Sequence, residues 1–378
     1  MSVATPVPFS VYMERALYGE NGYYMTERTR FGRSGDFYTS AQVSPLFGAL
    51  WALSVLQDAD QKEVVTIVEI GCGEGGFAEA LLRALLASEK LAGRPVRYAG
   101  IDLSPVSRER AQLRLQAVVQ ACKERGQDVY CACYATIGQL QAEDPCDWQG
   151  SWVFGNEVLD ALPCDVIAVS RTEIRQLFVQ EAKQVMPGTT QADLFTGREL
   201  VTFFASAQTA WREDALSLFQ PLFAEWEMPE VVTEWSPYLP QFLENITKYL
   251  RPSVVTFVDY GGYALDVAGD DRPHGSIRAY DRHQLVDDFL DRPGTCDLTY
   301  DVNFTAVGLA FEKLGYQCSP LGRQGAWLLA LPDVAQLFER VEKSSPGAVR
   351  RALSLFMPGG LGDRFVVCRA VPATNEKV

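Results

Sequence analysis

Residues 64–87 constrain this chain more than any other segment. Val64, Val65, Ile67, Val68 and Ile70 form a near-continuous apolar run, the pattern of a strand buried on both faces of a parallel sheet. The run ends in Glu69-Ile70-Gly71-Cys72-Gly73-Glu74-Gly75-Gly76, after which Phe77 to Ala87 reads as a helix with Leu81, Leu82, Leu85 and Leu86 on one side. Strand, glycine cluster and helix in succession belong to a doubly wound α/β domain. There the glycines let the backbone approach a ligand, and the helix N-terminus favours an anionic group. The alternation continues downstream. Residues 97–102 predict a second strand, Ser104 an N-cap, Pro105 the first helical position and Gly126 the helix stop. Residues 128–134 and 151–155 predict two more strands, the latter running into a helix start at Asn156.

The glycine cluster fits two templates. As Gly71-x-Gly73-x-x-Gly76 it matches the dinucleotide fingerprint. As Glu69-x-Gly71-x-Gly73-x-Gly75 it matches the S-adenosyl-L-methionine loop of class I methyltransferases. A capped structural turn is the third reading. Glu69 favours the methyl donor, because an acidic residue closing an apolar strand is costly without a polar partner, and that cofactor brings an ammonium group. Asp102, ending the second strand, suits a pair of ribose hydroxyls in either template. Asn156 and Glu157 leave the fourth strand on the side where such folds bind ligands. Methyl transfer is an in-line displacement at a methylsulfonium, so alignment is its main demand. A protonated nitrogen acceptor also gives up a proton, which Glu157 or Asp160 is suited to accept; capping of a helix is the alternative role for both.

Composition narrows the classes. Of 378 residues 47% are hydrophobic and 22% charged, enough apolar material for a full core. A net charge of −14 lacks the electrostatics of a chain that wraps nucleic acid or docks on an anionic membrane, so nucleic acid is not an expected partner. The apolar stretch from Pro45 runs for only about a dozen residues, too short to cross a bilayer. Nine scattered cysteines read as reduced thiols, and with two histidines in the chain no metal centre is expected. Residues 1–10 show no basic flank or apolar core, which predicts a cytoplasmic protein. Nothing in the pattern fixes an oligomeric state. The pattern loosens from about residue 166 to 250 into short alternating runs and returns at 253–259 to a buried strand. The expected division is therefore an N-terminal segment over 1–62, the cofactor domain's first half over 63–165, an inserted α+β subdomain over 166–252 and the second half over 253–378.

Several segments together resemble the MidA-like family of S-adenosylmethionine-dependent methyltransferases, which includes the mitochondrial protein arginine methyltransferase of complex I assembly. They are Gly35-Asp36-Phe37-Tyr38-Thr39-Ser40 with Ser44-Pro45-Leu46-Phe47-Gly48, the run Gly155-Asn156-Glu157-Val158-Leu159-Asp160-Ala161-Leu162-Pro163, Asp259-Tyr260-Gly261, Arg278-Ala279-Tyr280-Asp281-Arg282-His283, Pro293-Gly294 with Asp297-Leu298-Thr299, and Gly362-Asp363-Arg364-Phe365. The likeness spans residues 9–370. It implies a class I, Rossmann-like methyltransferase core, an N-terminal helical lid over the cofactor, an inserted subdomain near the substrate entrance, and methylation of a protein arginine. It implies cofactor contacts from Glu69, Gly71, Gly73, Gly75, Asp102, Asn156, Asp36, Thr39 and Ser40, with Glu157, Asp160, Asp259 and His283 on the catalytic side. The product is S-adenosyl-L-homocysteine. The chain departs from the family at Ala41-Gln42, where Pro-Glu is usual, and at Asn303, where Asp is usual; each change removes a negative charge. A cofactor-binding assembly factor without catalysis, and an NAD-dependent oxidoreductase, are the alternative readings.

Overall fold

The apolar run beginning at Val64 folds as a strand over Val65–Ile70 (β1), every residue of it buried. The computed structural model describes residues 5–26, 44–59, 62–91, 93–144, 146–184, 195, 197, 200–207, 209–224, 229–269, 271–357 and 359–374. The chain divides into two compact units, each discontinuous in sequence. One comprises Thr29–Val158, Leu243–Asp259 and Phe311–Val378; the other comprises Met1–Arg28, Leu159–Phe242 and Tyr260–Ala310.

The first unit is built on β1 together with Val96–Ile101 (β2), Val129–Tyr134 (β3), Trp152–Asn156 (β4), Val254–Gly262 (β5), Tyr316–Cys318 (β6) and Phe365–Pro372 (β7); the last residues of β5, from Tyr260, belong to the other unit. The sheet order is β6-β7-β5-β4-β1-β2-β3. Neighbours from β5 to β3 run parallel, and β6 pairs antiparallel with β7. The chain winds outward from β1 through β2 to β3, then returns to lay β4 on the other side of β1. That reversal opens a crevice at the carboxyl ends of β1 and β4, where doubly wound sheets hold their ligands.

Helices cover the sheet. Pro45–Asp58 (α1) starts at Ser44, whose hydroxyl accepts from the Leu46 N–H, with Pro45 at the first helical position. Its apolar length is that of a core helix, and Trp51 stacks on Trp327 with centroids 4.5 Å apart and meets Phe154 at 4.7 Å with the rings tilted by 52°. Gly48 lets it approach Gly76–Leu86 (α2), since a Cβ there would lie 2.7 Å from Ala80 Cβ. Pro105–Lys123 (α3) follows the predicted cap, with the Ser104 hydroxyl accepting from Ser107 N–H. Ile137–Glu143 (α4), capped by Thr136, buries only Ile137 and Leu140, too little to leave a periodic signal in the sequence.

The helix expected from Asn156 does not form. Asn156 is the last residue of β4, and Glu157 adopts φ +54°, a left-handed conformation that no helix continues through.

The second unit contains an antiparallel sheet in which Val7–Pro8, Ile174–Glu181, Asp165–Ser170 and Glu230–Trp235 lie in that order, with Leu200–Ser206 also on Ile174–Glu181. Ile167, Val169, Ile174, Phe219 and Val231 pack its core. A smaller sheet joins Gln284–Leu285, Arg278–Asp281 and Asp297–Thr299. Among the described residues no helix is long and apolar enough to cross a membrane.

Candidate active site

The loop after β1 is held open by its backbone. Gly71, Gly73 and Gly75 have φ of +70°, +51° and +75°, which glycine adopts without a Cβ penalty. A Cβ at Gly71 would also lie 2.7 Å from Val158 Cγ2. Gly71 and Cys72 donate their N–H groups to the Ile101 carbonyl at 2.7 and 3.2 Å. The loop delivers the chain into α2, whose N-terminus carries no side-chain cap, leaving first-turn amides for an anionic group such as a carboxylate.

Asp102 organises the same loop. One carboxylate oxygen accepts from Gly73 N–H at 2.9 Å and the other from Ser104 N–H at 2.9 Å. Carboxylate oxygens have further lone pairs, so these bonds leave capacity for hydroxyl donors.

Glu69 is 4% exposed, and the buried Tyr98 hydroxyl donates to it at 2.5 Å. Burial pushes the Glu69 carboxyl well above the usual range, the Tyr98 bond pulls it down, and the neighbouring Cys133 and Asp102 push it up. A buried carboxyl in this state gains most from an incoming cation. Tyr98 is a site residue that the strand pattern hides, because only the register of β1 on β2 brings its hydroxyl beneath Glu69.

On the other side of the crevice, Ile70 pairs with Gly155, which sets the β4 exit beside the glycine loop. Asn156 donates from Nδ2 to Glu157 Oε1 at 2.8 Å. Its Oδ1 is buried and, among the described residues, has no hydrogen-bond partner. Such an orphaned acceptor is costly and fits a cofactor that supplies an N–H or O–H donor. The left-handed turn at Glu157 is pinned from β5: Glu157 N–H donates to the Val258 carbonyl at 2.9 Å, and Val158 N–H to Asp259 Oδ2 at 3.1 Å. Asp259, 1% exposed, thus fixes the backbone that presents Glu157. Strained non-glycine backbone of this kind persists only where its surroundings hold it.

The structure brings Glu69, Gly71, Gly73, Gly75, Asp102, Asn156, Glu157 and Asp259 into the first unit. Asp160 and His283 belong to the second. Asp160 accepts from Thr299 Oγ1 at 2.7 Å, and burial pushes its carboxyl up to about 6, opposed by the Thr299 bond and by Arg278. Arg282 and His283, at φ +52° and +63°, form the exposed two-residue turn between Arg278–Asp281 and Gln284–Leu285, the geometry of a type I′ hairpin. Asn303 accepts from Thr305 N–H and Ala306 N–H at 3.1 and 3.3 Å, capping the helix Phe304–Lys313 as an Asp would. Asp36, Thr39, Ser40 and Gln42 lie outside the described residues.

A sheet of this order, with its glycine loop and acidic strand end, has the class I methyltransferase fold. The family model described as "Putative S-adenosyl-L-methionine-dependent methyltransferase" matches residues 48–321, and the chain belongs to that family: it is a methyltransferase whose cofactor is S-adenosyl-L-methionine. The dinucleotide alternative falls with that result. The chain is 25% identical to protein arginine methyltransferase NDUFAF7, mitochondrial, of Xenopus laevis, covering 98% of this chain and 82% of the relative. It is 26% identical to the Drosophila melanogaster homolog over 95% and 80%. A solved Burkholderia thailandensis structure bound to S-adenosyl-homocysteine superposes with a TM-score of 0.76 at 26% identity, covering 97% of this chain and 88% of that one. The cytoplasmic location expected from residues 1–10 is overturned, because the Xenopus, Drosophila and human relatives are mitochondrial proteins.

Proposed function

We propose that this enzyme methylates a guanidinium nitrogen of an arginine side chain in a protein. The observation that carries the proposal is the Glu157 carboxylate at the β4 exit, bonded by Asn156 on a backbone turn that Val258 and Asp259 pin. The names of the relatives as protein arginine methyltransferases support the same acceptor. The cofactor supplies an electrophilic methyl on a sulfonium.

The residues divide the remaining work. Glu69 pairs with the cofactor's ammonium, the α2 N-terminus and the loop amides receive its carboxylate, and Asp102 receives its ribose hydroxyls. The orphaned Asn156 oxygen takes a donor from the same ligand. A guanidinium suits a carboxylate fork, and pairing with Glu157 draws positive charge toward one edge so that the nitrogen facing the methyl keeps lone-pair character. As the nitrogen–carbon bond forms and the sulfur–carbon bond breaks, the nitrogen proton passes to Glu157 or to solvent. Asp259 positions this group. His283 serves its hairpin and Asp160 the buried polar network around Thr299 and Arg278; neither is assigned a chemical step.

The test is incubation of the purified enzyme with methyl-labelled cofactor and a protein extract, followed by hydrolysis to amino acids. Label is expected in methylarginine. Label in another amino acid, or confined to non-protein material, overturns the acceptor assignment.

A further inference from the structure

The cofactor loop carries a thiol that methyl transfer does not use. Cys72 sits between Gly71 and Gly73, 4% exposed, with its sulfur over Gly100: a Cβ at that glycine would meet Cys72 Sγ at 2.7 Å. Gly100 pairs in register with Cys133 of β3, and directly opposed residues present their side chains on the same face of a sheet. The missing side chain at Gly100 therefore leaves open the space between the Cys72 sulfur and the Cys133 side chain, with no group of Gly100 to part them. Cys133 is half-buried, which gives it the access that Cys72 lacks.

We propose that Cys72 and Cys133 form a reversible disulfide that disables cofactor binding, with a hydroperoxide as the oxidant. The neighbouring Cys72 thiol, aided by Arg108, holds Cys133 below the usual thiol range, while the neighbouring Cys133 and burial push Cys72 up. Cys133 is accordingly the thiolate that attacks and Cys72 the thiol that resolves. The Cys133 sulfur attacks one peroxide oxygen, the O–O bond breaks, and the leaving oxygen departs as water, giving a sulfenic acid. The Cys72 sulfur then attacks the Cys133 sulfur, the S–O bond breaks, and a second water leaves. Two thiols lose two electrons and two protons in total, and hydrogen peroxide is reduced to two waters.

A disulfide brings the sulfurs to about 2.05 Å, so the loop or β3 must shift. The loop is the softer partner, because left-handed glycines flank Cys72 and its seat is a few backbone bonds, among them Gly73 N–H to Asp102 and Cys72 N–H to Ile101. Drawing Cys72 toward β3 pulls Cys72 N–H off the Ile101 carbonyl and Gly73 N–H off Asp102. A second thiol pair, Cys318 and Cys368, has sulfurs 3.9 Å apart, but it joins β6 and β7 at the opposite edge of the sheet from β3.

The experiment treats the reduced full chain with hydrogen peroxide, removes the peroxide, maps disulfides by mass spectrometry without reduction, and titrates S-adenosylhomocysteine by calorimetry. A Cys72–Cys133 cross-linked peptide is expected. Affinity should fall by at least about tenfold and return with dithiothreitol. Cys133→Ser, with Cys133→Ala as a second variant, should bind as the reduced wild type does and keep that affinity after peroxide. Absence of the cross-link, a cross-link with unchanged affinity, or equal loss of affinity in the Cys133 variants overturns the proposal. Failure of the reduced wild type to bind S-adenosylhomocysteine would instead strike the cofactor site itself.

Discussion

Removing the Tyr98 hydroxyl tests how the buried Glu69 receives the cofactor. Glu69 must be ionised to pair with an ammonium, yet burial holds its carboxyl well above the usual range and the Tyr98 bond is the first force opposing that. A hydrogen bond to a charged group contributes about 1.5–3 kcal/mol. Tyr98→Phe should therefore raise the Glu69 carboxyl further, and at a pH where that carboxyl is protonated the affinity for the ligand should fall by about tenfold to a hundredfold. The sign follows from linkage. The ligand binds the deprotonated form, so affinity is full above the folded-state pKa and falls about tenfold per pH unit below it. Calorimetric titration of S-adenosylhomocysteine across pH should therefore show the Tyr98→Phe profile displaced to higher pH. Paired buffers of different ionisation enthalpy should report proton release on binding at pH values below the midpoint. Identical profiles for wild type and Tyr98→Phe would refute the reasoning.

Asp102→Ala strands the Gly73 and Ser104 amides, so calorimetry should show S-adenosylhomocysteine affinity reduced by at least about tenfold, the equivalent of 1.4 kcal/mol. Asp259→Ala removes the acceptor for Val158 N–H and should lower the methyl-transfer rate more than cofactor affinity, whereas Asp259→Asn, which keeps an acceptor oxygen, should recover much of the rate; initial rates beside calorimetry separate the two. In the second unit, burial pushes Glu234 up to about 7 from an ordinary 4.5, opposed by bonds from Ser276 and Ile277. Its contribution to stability is present below pH 4.5 and lost as pH rises through about 7, a change of up to about 3 kcal/mol. Glu234→Gln should flatten that part of the thermal-melt profile.

The sequence announced the first unit well because its signals are local. A strand buried on both faces, a glycine cluster and a capped helix each leave a mark within a few residues, and Ser104-Pro105 marks a helix start outright. The turn at Glu157 was misread as a helix start because what forbids the helix comes from β5, about a hundred residues away, through Val258 and Asp259. Tyr98 and the Cys72–Cys133 contact depend on strand register, which no single strand's pattern reveals. The resemblance places His283 on the catalytic side, and only the backbone shows it at a hairpin turn. The antiparallel sheet of the second unit was legible as short alternating runs, without the pairing order that long connections conceal.

The most direct test of the cofactor site is calorimetric titration of the reduced enzyme with S-adenosylhomocysteine and, separately, with NAD. Saturable binding of S-adenosylhomocysteine, weakened by Asp102→Ala, with no binding of NAD, is the predicted result. Binding of NAD without binding of S-adenosylhomocysteine would contradict the account.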